Sequence, residues 1–150
     1  MILEKAKPLG AELRDTSNAV KHYIDLSLST YLKYKLTGIE GMTMKFLFDR
    51  TDETITAKDI MKISGVSKAT MSQTLAGLEK KKFIKTKPLK TDHRQKEIVL
   101  TSKGIEVNQD FCRAFAGINQ QIEKDFSEED KKGLRQYLIR IKNNVSNKLN

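Results

Sequence analysis

Two stretches of this chain carry the side chains best suited to gripping another molecule. One is Ser67-Lys68-Ala69-Thr70-Met71-Ser72-Gln73; the other runs from Lys85 to Lys96 and encloses Asp92 and Arg94. Their chemistry is hydrogen bonding and positive charge. Thr70, Ser72 and Gln73 supply donors and acceptors that suit base edges or phosphates, and the methyl of Ala69 or Thr70 can meet thymine. Gln73 is the foremost base reader, because its amide can pair bidentately with adenine. Small side chains at Ala69 and Ala76 let a helix approach a groove closely. A helix beginning at Ser67 would add free N–H groups and the positive dipole end, both favourable to phosphate.

Charge points the same way. Between Lys68 and Lys96 lie Lys68, Lys80, Lys81, Lys82, Lys85, Lys87, Lys90, Arg94 and Lys96 against Glu79 and Asp92, nine against two, or +7. The whole chain is +9, which leaves +2 for the rest. Such a concentration on a helix and an adjoining hairpin matches the footprint of a duplex-DNA reader. A loop crowded with Lys85, Lys87, Lys90, Arg94 and Lys96 can follow the DNA backbone and insert Arg94 into a minor groove. Asp92 then supports the wing by orienting Arg94 or a neighbouring cation. Taken singly, the helix is also a capped surface helix and the loop a solvated charge run. Taken together they favour DNA, with contacts from Ser67, Lys68, Ala69, Thr70, Ser72, Gln73, Lys87, Lys90, Arg94 and Lys96.

These residues need elements to hold them. Apolar residues at Val20, Tyr23, Ile24, Leu28, Tyr31 and Leu32 recur at spacings of three and four, predicting a first helix over roughly 9–34. Thr37 and Glu40 form a capping box for a second helix to about Asp49, with Met42, Phe46 and Leu47 inward. Thr56-Ala57-Lys58-Asp59 opens a third, with Ile60, Met61 and Ile63 as its apolar set. Gly65 suits a tight turn with positive φ. Ser67 caps the next helix, whose buried stripe is Val66, Met71, Leu75 and Leu78. Residues 83–87 and 97–100 read as strands joined by a polar tip. Thr101 or Ser102 begins a long helix toward Asp125 with Ile105, Phe111, Phe115 and Ile118 inward. Ser127 caps a last helix carrying Leu134, Tyr137, Leu138 and Ile141 at helical spacing.

The expected fold is therefore mainly α, an α+β winged helix-turn-helix of about six helices with a small β-wing. Residues 37–101 form the DNA-binding domain. Residues 1–36 and 102–150 supply terminal helices whose apolar faces need cover. Either they pack onto the central module, or they assemble a dimer interface, and their split between the two chain ends favours the dimer.

Composition bounds the alternatives. With 150 residues and 38% hydrophobic content the chain fits one compact domain or a small domain with an extension. It has no apolar run of membrane-spanning length and no basic-then-apolar leader pattern at its start. Its one cysteine, Cys112, suits a reducing cytoplasm and is most simply a buried small hydrophobe beside Phe111. His22 and His93 are far apart and make no metal-ligand cluster. There is no phosphate-binding Gly loop, nucleophile elbow or cofactor fingerprint, so neither an enzyme nor a cofactor is expected.

The stretch from Thr56 to Gly104 resembles the MarR family of bacterial transcription regulators. The matching residues are Gly65-Val66-Ser67, Thr70-Met71-Ser72, Leu78-Glu79-Lys80-Lys81, Phe83-Ile84, Asp92-x-Arg94, Leu100-Thr101 and Gly104, with Leu36-Thr37 and the end helices in agreement. Asp-x-Arg followed by Leu-Thr is the most specific of these. The resemblance implies a homodimer on a palindromic operator, usually a repressor, often released by a small aromatic ligand or by oxidation. Tyr23, Tyr31, Tyr34, Met42 and Met44 are then the candidate ligand contacts, though each reads more simply as core or dimer packing. Oxidation sensing through Cys112 is an alternative, although the family's redox cysteines lie in the first helix. A non-regulatory winged-helix adaptor is another. Two departures stand out: Lys82 replaces a usual Gly before the first wing strand, and Gln73 replaces a frequent Arg.

Overall fold

Capping chemistry sets most of the element boundaries. The computed structural model describes residues 6–148. Among them are six helices, α1 (Leu9–Tyr31), α2 (Gly38–Phe48), α3 (Ala57–Ser64), α4 (Lys68–Lys80), α5 (Ser102–Ile122) and α6 (Glu128–Ser146), and two strands, β1 (Ile84–Pro88) and β2 (Lys96–Leu100). The Thr37 hydroxyl accepts from the Glu40 N–H while the Glu40 carboxylate accepts from the Thr37 N–H at 2.9 Å. Equivalent boxes join Thr56 to Asp59 and Ser127 to Asp130. Each such cap contributes about 1 kcal/mol. Gly65 ends α3 with φ of 68°, the left-handed turn expected of it.

The chain divides between Ala116 and Gly117 into two units. In the first, Leu28, Leu36, Met44, Leu47, Ile55, Ile60, Met71, Leu78, Phe83, Ile84, Ile98, Val107 and Phe111 form the core. Phe111 stacks on Phe115 and presses on α2 at Gly41, where a Cβ would lie 2.0 Å from its ring. The sheet is one antiparallel pair, with Ile84 opposite Leu100 and Pro88 opposite Lys96. Ile55 extends it through a 2.8 Å bond from the Ile98 N–H to its carbonyl.

The second unit contains the end of α5 and α6. Lys131 bridges Glu123 at 3.0 Å and also pairs with Glu128. No residue of α6 is buried, and Leu134, Tyr137, Leu138, Ile139 and Val145 are all exposed.

Several expectations require correction. Helix α1 stops at Tyr31, so Tyr34 lies in the connection. Met42, Ile63 and Ile105 share helical spacing with core residues but are 43%, 61% and 36% exposed. Met44, Thr43 and Val107 occupy the buried positions instead. Helix α5 ends at Ile122 rather than near Asp125, which takes a φ of 65° in the turn. Strand β1 begins one residue later than expected because Phe83 is used to close α4, and β2 begins one residue earlier, where Lys96 pairs with Pro88.

That closure explains how a lysine fills a glycine position. The Lys82 N–H donates to the Glu79 carbonyl at 2.9 Å and the Phe83 N–H to the Leu78 carbonyl at 3.0 Å. With Lys82 at φ of 62°, these two bonds make a Schellman motif, completed by the buried Leu78 and Phe83 side chains.

Candidate nucleic-acid interface

Helix α4 turns one side to the core through Met71, Thr74 and Leu78. The opposite side is left to Lys68, Ala69, Thr70, Ser72, Gln73 and Ala76, every one exposed. Ser67 caps the helix by accepting from the Thr70 N–H at 3.1 Å and donating to the Thr70 hydroxyl at 3.0 Å. Thr74, expected nowhere in the buried stripe, satisfies its hydroxyl on the Thr70 carbonyl at 2.8 Å. Lys68, Ser72 and Gln73 therefore keep their polar atoms free of other side chains among the described residues.

The wing beside α4 is built by strand alternation. Ile84 is buried and Thr86 half-buried, its hydroxyl donating to Glu79 at 3.0 Å, while Lys85 and Lys87 point to solvent. Lys87 stands opposite Glu97 in the ladder, so part of its charge is offset across the strands. The tip is closed by the Leu89 N–H on the Gln95 carbonyl and the Gln95 N–H on the Asp92 carbonyl, both at 3.0 Å. Asp92 organises this tip. Its carboxylate accepts the Arg94 N–H at 3.1 Å, and Arg94 Nε and Gln95 Nε2 each at 3.4 Å. The backbone bond from Arg94, then the side chains of Gln95 and Arg94 and the field of Lys58, hold the Asp92 carboxyl below its usual range. The Arg94 side chain is 94% exposed, so the tip is fixed while its guanidinium stays in water. Lys90 and Lys96 are exposed beside it.

Helix and wing enclose one groove of about 450 Å³. Met61, Met71, Leu75 and Ile98 line its apolar part; Lys68, Ser72, Arg94 and Lys96 join them. Thr56 and Lys58 of the α3 start also line it, a contribution that sequence reasoning overlooked. The signal was present: Lys58 lies two residues after the Thr56 cap, whose geometry fixes the first turn of α3.

The other singled-out residues lie elsewhere in the first unit. Tyr34 meets Phe83 edge-on at 5.5 Å, and Lys103 sits 5.2 Å from both rings. Tyr23 is 36% exposed and Met44 fully buried. Tyr31 borders an open depression with Lys33, Asp110 and Arg113. Met42 lines a different one with Ile39, Phe46 and Ile63. Cys112 is half-buried, its Sγ 3.8 Å from Asn108 Oδ1. Among the described residues no cluster of His, Cys, Asp or Glu could hold a metal ion, and no helix is long and apolar enough to cross a membrane.

Comparison with known proteins places this geometry. Residues 36–95 match the model of the MarR family. The chain is similar to Staphylococcus aureus MepR in a DNA complex, at 26% identity and a TM-score of 0.82 over 93% of this chain and 99% of that one. The PcaV transcriptional regulator of Streptomyces coelicolor, in complex with its natural ligand, shares the fold at 14% identity and a TM-score of 0.77, covering 93% and 97%. So does the heme sensor PefR of Streptococcus agalactiae bound to heme, at 23% identity and a TM-score of 0.66, covering 93% and 95%. No curated protein sequence shows significant similarity to the chain.

Proposed function

We propose that the chain is a regulator of the MarR type, sharing the winged-helix fold of the proteins it resembles, and that it controls transcription by binding a palindromic operator as a homodimer. The observation that carries this reading is the shared groove. A capped helix with free Lys68, Ser72 and Gln73 and a wing tip with a solvent-exposed Arg94 guanidinium line or flank one cationic cleft. Ala69, Thr70 and Gln73 read bases in a major groove; Lys87, Lys90 and Lys96 follow phosphates; Arg94 enters the adjacent minor groove. Ser67 offers its helix N-terminus to a phosphate.

Support for the dimer comes from α6, whose apolar residues Leu134, Tyr137 and Leu138 are exposed in the single chain. Residues 1–36 and 102–150 make the dimerisation region in this reading, and 37–101 the DNA-binding domain. Repression in the cytoplasm, relieved by a small aromatic effector, completes the proposal. Tyr31 and Met42 border open depressions and are the effector's first candidate contacts, ahead of Tyr23, Tyr34 and the buried Met44.

Selection from a randomised duplex library tests the reading, repeated with phenolic ligands. The expected product is a short inverted repeat whose recovery falls with salt. Gln73→Ala should relax the preference at particular bases of each half-site. Recovery of unrelated sequences in every round would refute sequence-specific regulation.

A further inference from the structure

Glu40 does more than cap α2. Its side chain is 8% exposed, and both carboxylate oxygens are engaged by the Lys81 ammonium, at 2.8 and 2.7 Å. One of them also accepts the Thr37 N–H at 2.9 Å. The Gly38 N–H, one residue on, donates to Asp25 of α1 at 3.3 Å. Lys81 is the C-cap residue of α4, held in place by the Schellman turn through Lys82. The α2 start thus touches α1 on one side and the end of α4 on the other.

The approach to α4 is close. A Cβ built on Gly77 would lie 2.7 Å from Glu40 Oε1, so a larger residue there would have to push the carboxylate away from this turn of α4. The Glu40–Lys81 ion pair joins this end of α4 to the start of α2. The partners are 41 residues apart in sequence, and they fix the end of α4 opposite to Ser67 and Gln73. At 1.5 Å per residue, Lys81 lies about 12 Å along the helix from Gln73. A rigid helix pinned at its far end has its direction set there.

We propose that Glu40 is a positioning residue for the DNA-reading helix, acting through Lys81 and Gly77 to set the angle at which α4 enters the groove. The proposal rests on α4 being the reading helix. Its chemistry separates position from charge. Glu40→Gln makes the protein more positive and Lys81→Met makes it less so. An electrostatic effect on DNA would move affinity in opposite directions, whereas a loss of position lowers both.

The test is a cycle of Glu40→Gln, Lys81→Met and the double variant, with Lys81→Arg as the conservative control. Affinity is measured for the selected duplex and for an unrelated one, below the unfolding transition of each protein. Each single variant should lose about tenfold on the selected duplex, with much less change on the unrelated one, and the double should fall little further. Gly77→Ala, which keeps both charges, should lose specificity in the same sense. In free protein, the amide resonances of residues 67–73 should shift in both single variants. Equal losses on both duplexes, or opposite changes in the two singles, would overturn the proposal. If wild type selects no sequence, the DNA reading fails separately, and unshifted amides in the variants would still refute control of α4 by Glu40.

Discussion

Lys82 offers a measurement of strain that can be worked in advance. It is exposed, has no side-chain hydrogen bond or ion pair among the described residues, and takes a φ of 62°. An L-residue in the left-handed region costs about 1–2 kcal/mol. Lys82→Gly removes that cost but gives the unfolded chain more freedom, worth about 0.5–1 kcal/mol in the opposite direction. The two Schellman hydrogen bonds are backbone bonds and survive the change. The net expectation is a stabilisation of about 0.5–1 kcal/mol, or about 1–4 °C in Tm for a chain this size. Urea unfolding at equal protomer concentration should show a higher midpoint with an unchanged slope. Lys82→Ala is the control, because it removes the same charge and keeps a Cβ in the strained region. If the glycine variant is no more stable than the alanine variant, strain at the α4 end is not a cost this fold bears.

Three further outcomes follow from the geometry. Gly104→Ala would place a Cβ 2.0 Å from the Phe83 carbonyl oxygen, a backbone atom that cannot swing aside, and should cost about 3 kcal/mol by urea unfolding; a loss below about 1 kcal/mol would mean the joint is loose. Arg94→Ala should weaken binding to the selected duplex by about 1–3 kcal/mol with Tm unchanged, and equal affinity in a salt-controlled titration would remove the wing from the mechanism. The Asp92 carboxyl is lowered on folding, so its support of the tip is complete above the ordinary aspartate range and is lost as pH falls through the lower folded value. A carboxyl-carbon NMR titration should give Asp92 a midpoint below that of a model peptide, and a midpoint at or above it would contradict the tip hydrogen bonds.

Local chemistry was the legible part of this sequence. Thr37 with Glu40, Gly65, Ser67 and Ser127 with Asp130 announce their roles within four residues, and the helices start, or in the case of Gly65 end, where they indicate. Periodicity was less informative about depth. Met42, Ile63 and Ile105 repeat at helical intervals, yet spacing names a face without saying what covers it. Phe83 looked like a strand residue because it is aromatic and follows a lysine run, whereas the Schellman bond to Leu78 claims it first. In the candidate interface, the exposure of the α4 and wing residues was readable from spacing and charge. Lys58 and the Glu40–Lys81 pair were not, because their meaning depends on tertiary approach between segments distant in sequence.

The root of the wing has a mechanical consequence. Thr101 donates its N–H to the Phe83 carbonyl at 3.0 Å and its hydroxyl to the Lys82 carbonyl at 2.7 Å, while Gly104 lets the first turn of α5 lie directly against Phe83. The hairpin is thus held twice, at its root by α5 and again at midlength, where Ile98 bonds Ile55 and Thr86 bonds Glu79. Only the stretch beyond Thr86 is a free arm, and two strand residues at about 3.4 Å each carry Pro88 about 7 Å past that second hold. A rotation of about 5° there moves Pro88 by about 0.6 Å. The wing is a short, stiff bracket, and Arg94 at its tip keeps its place relative to α4 because Glu79 of that helix is one of the holds.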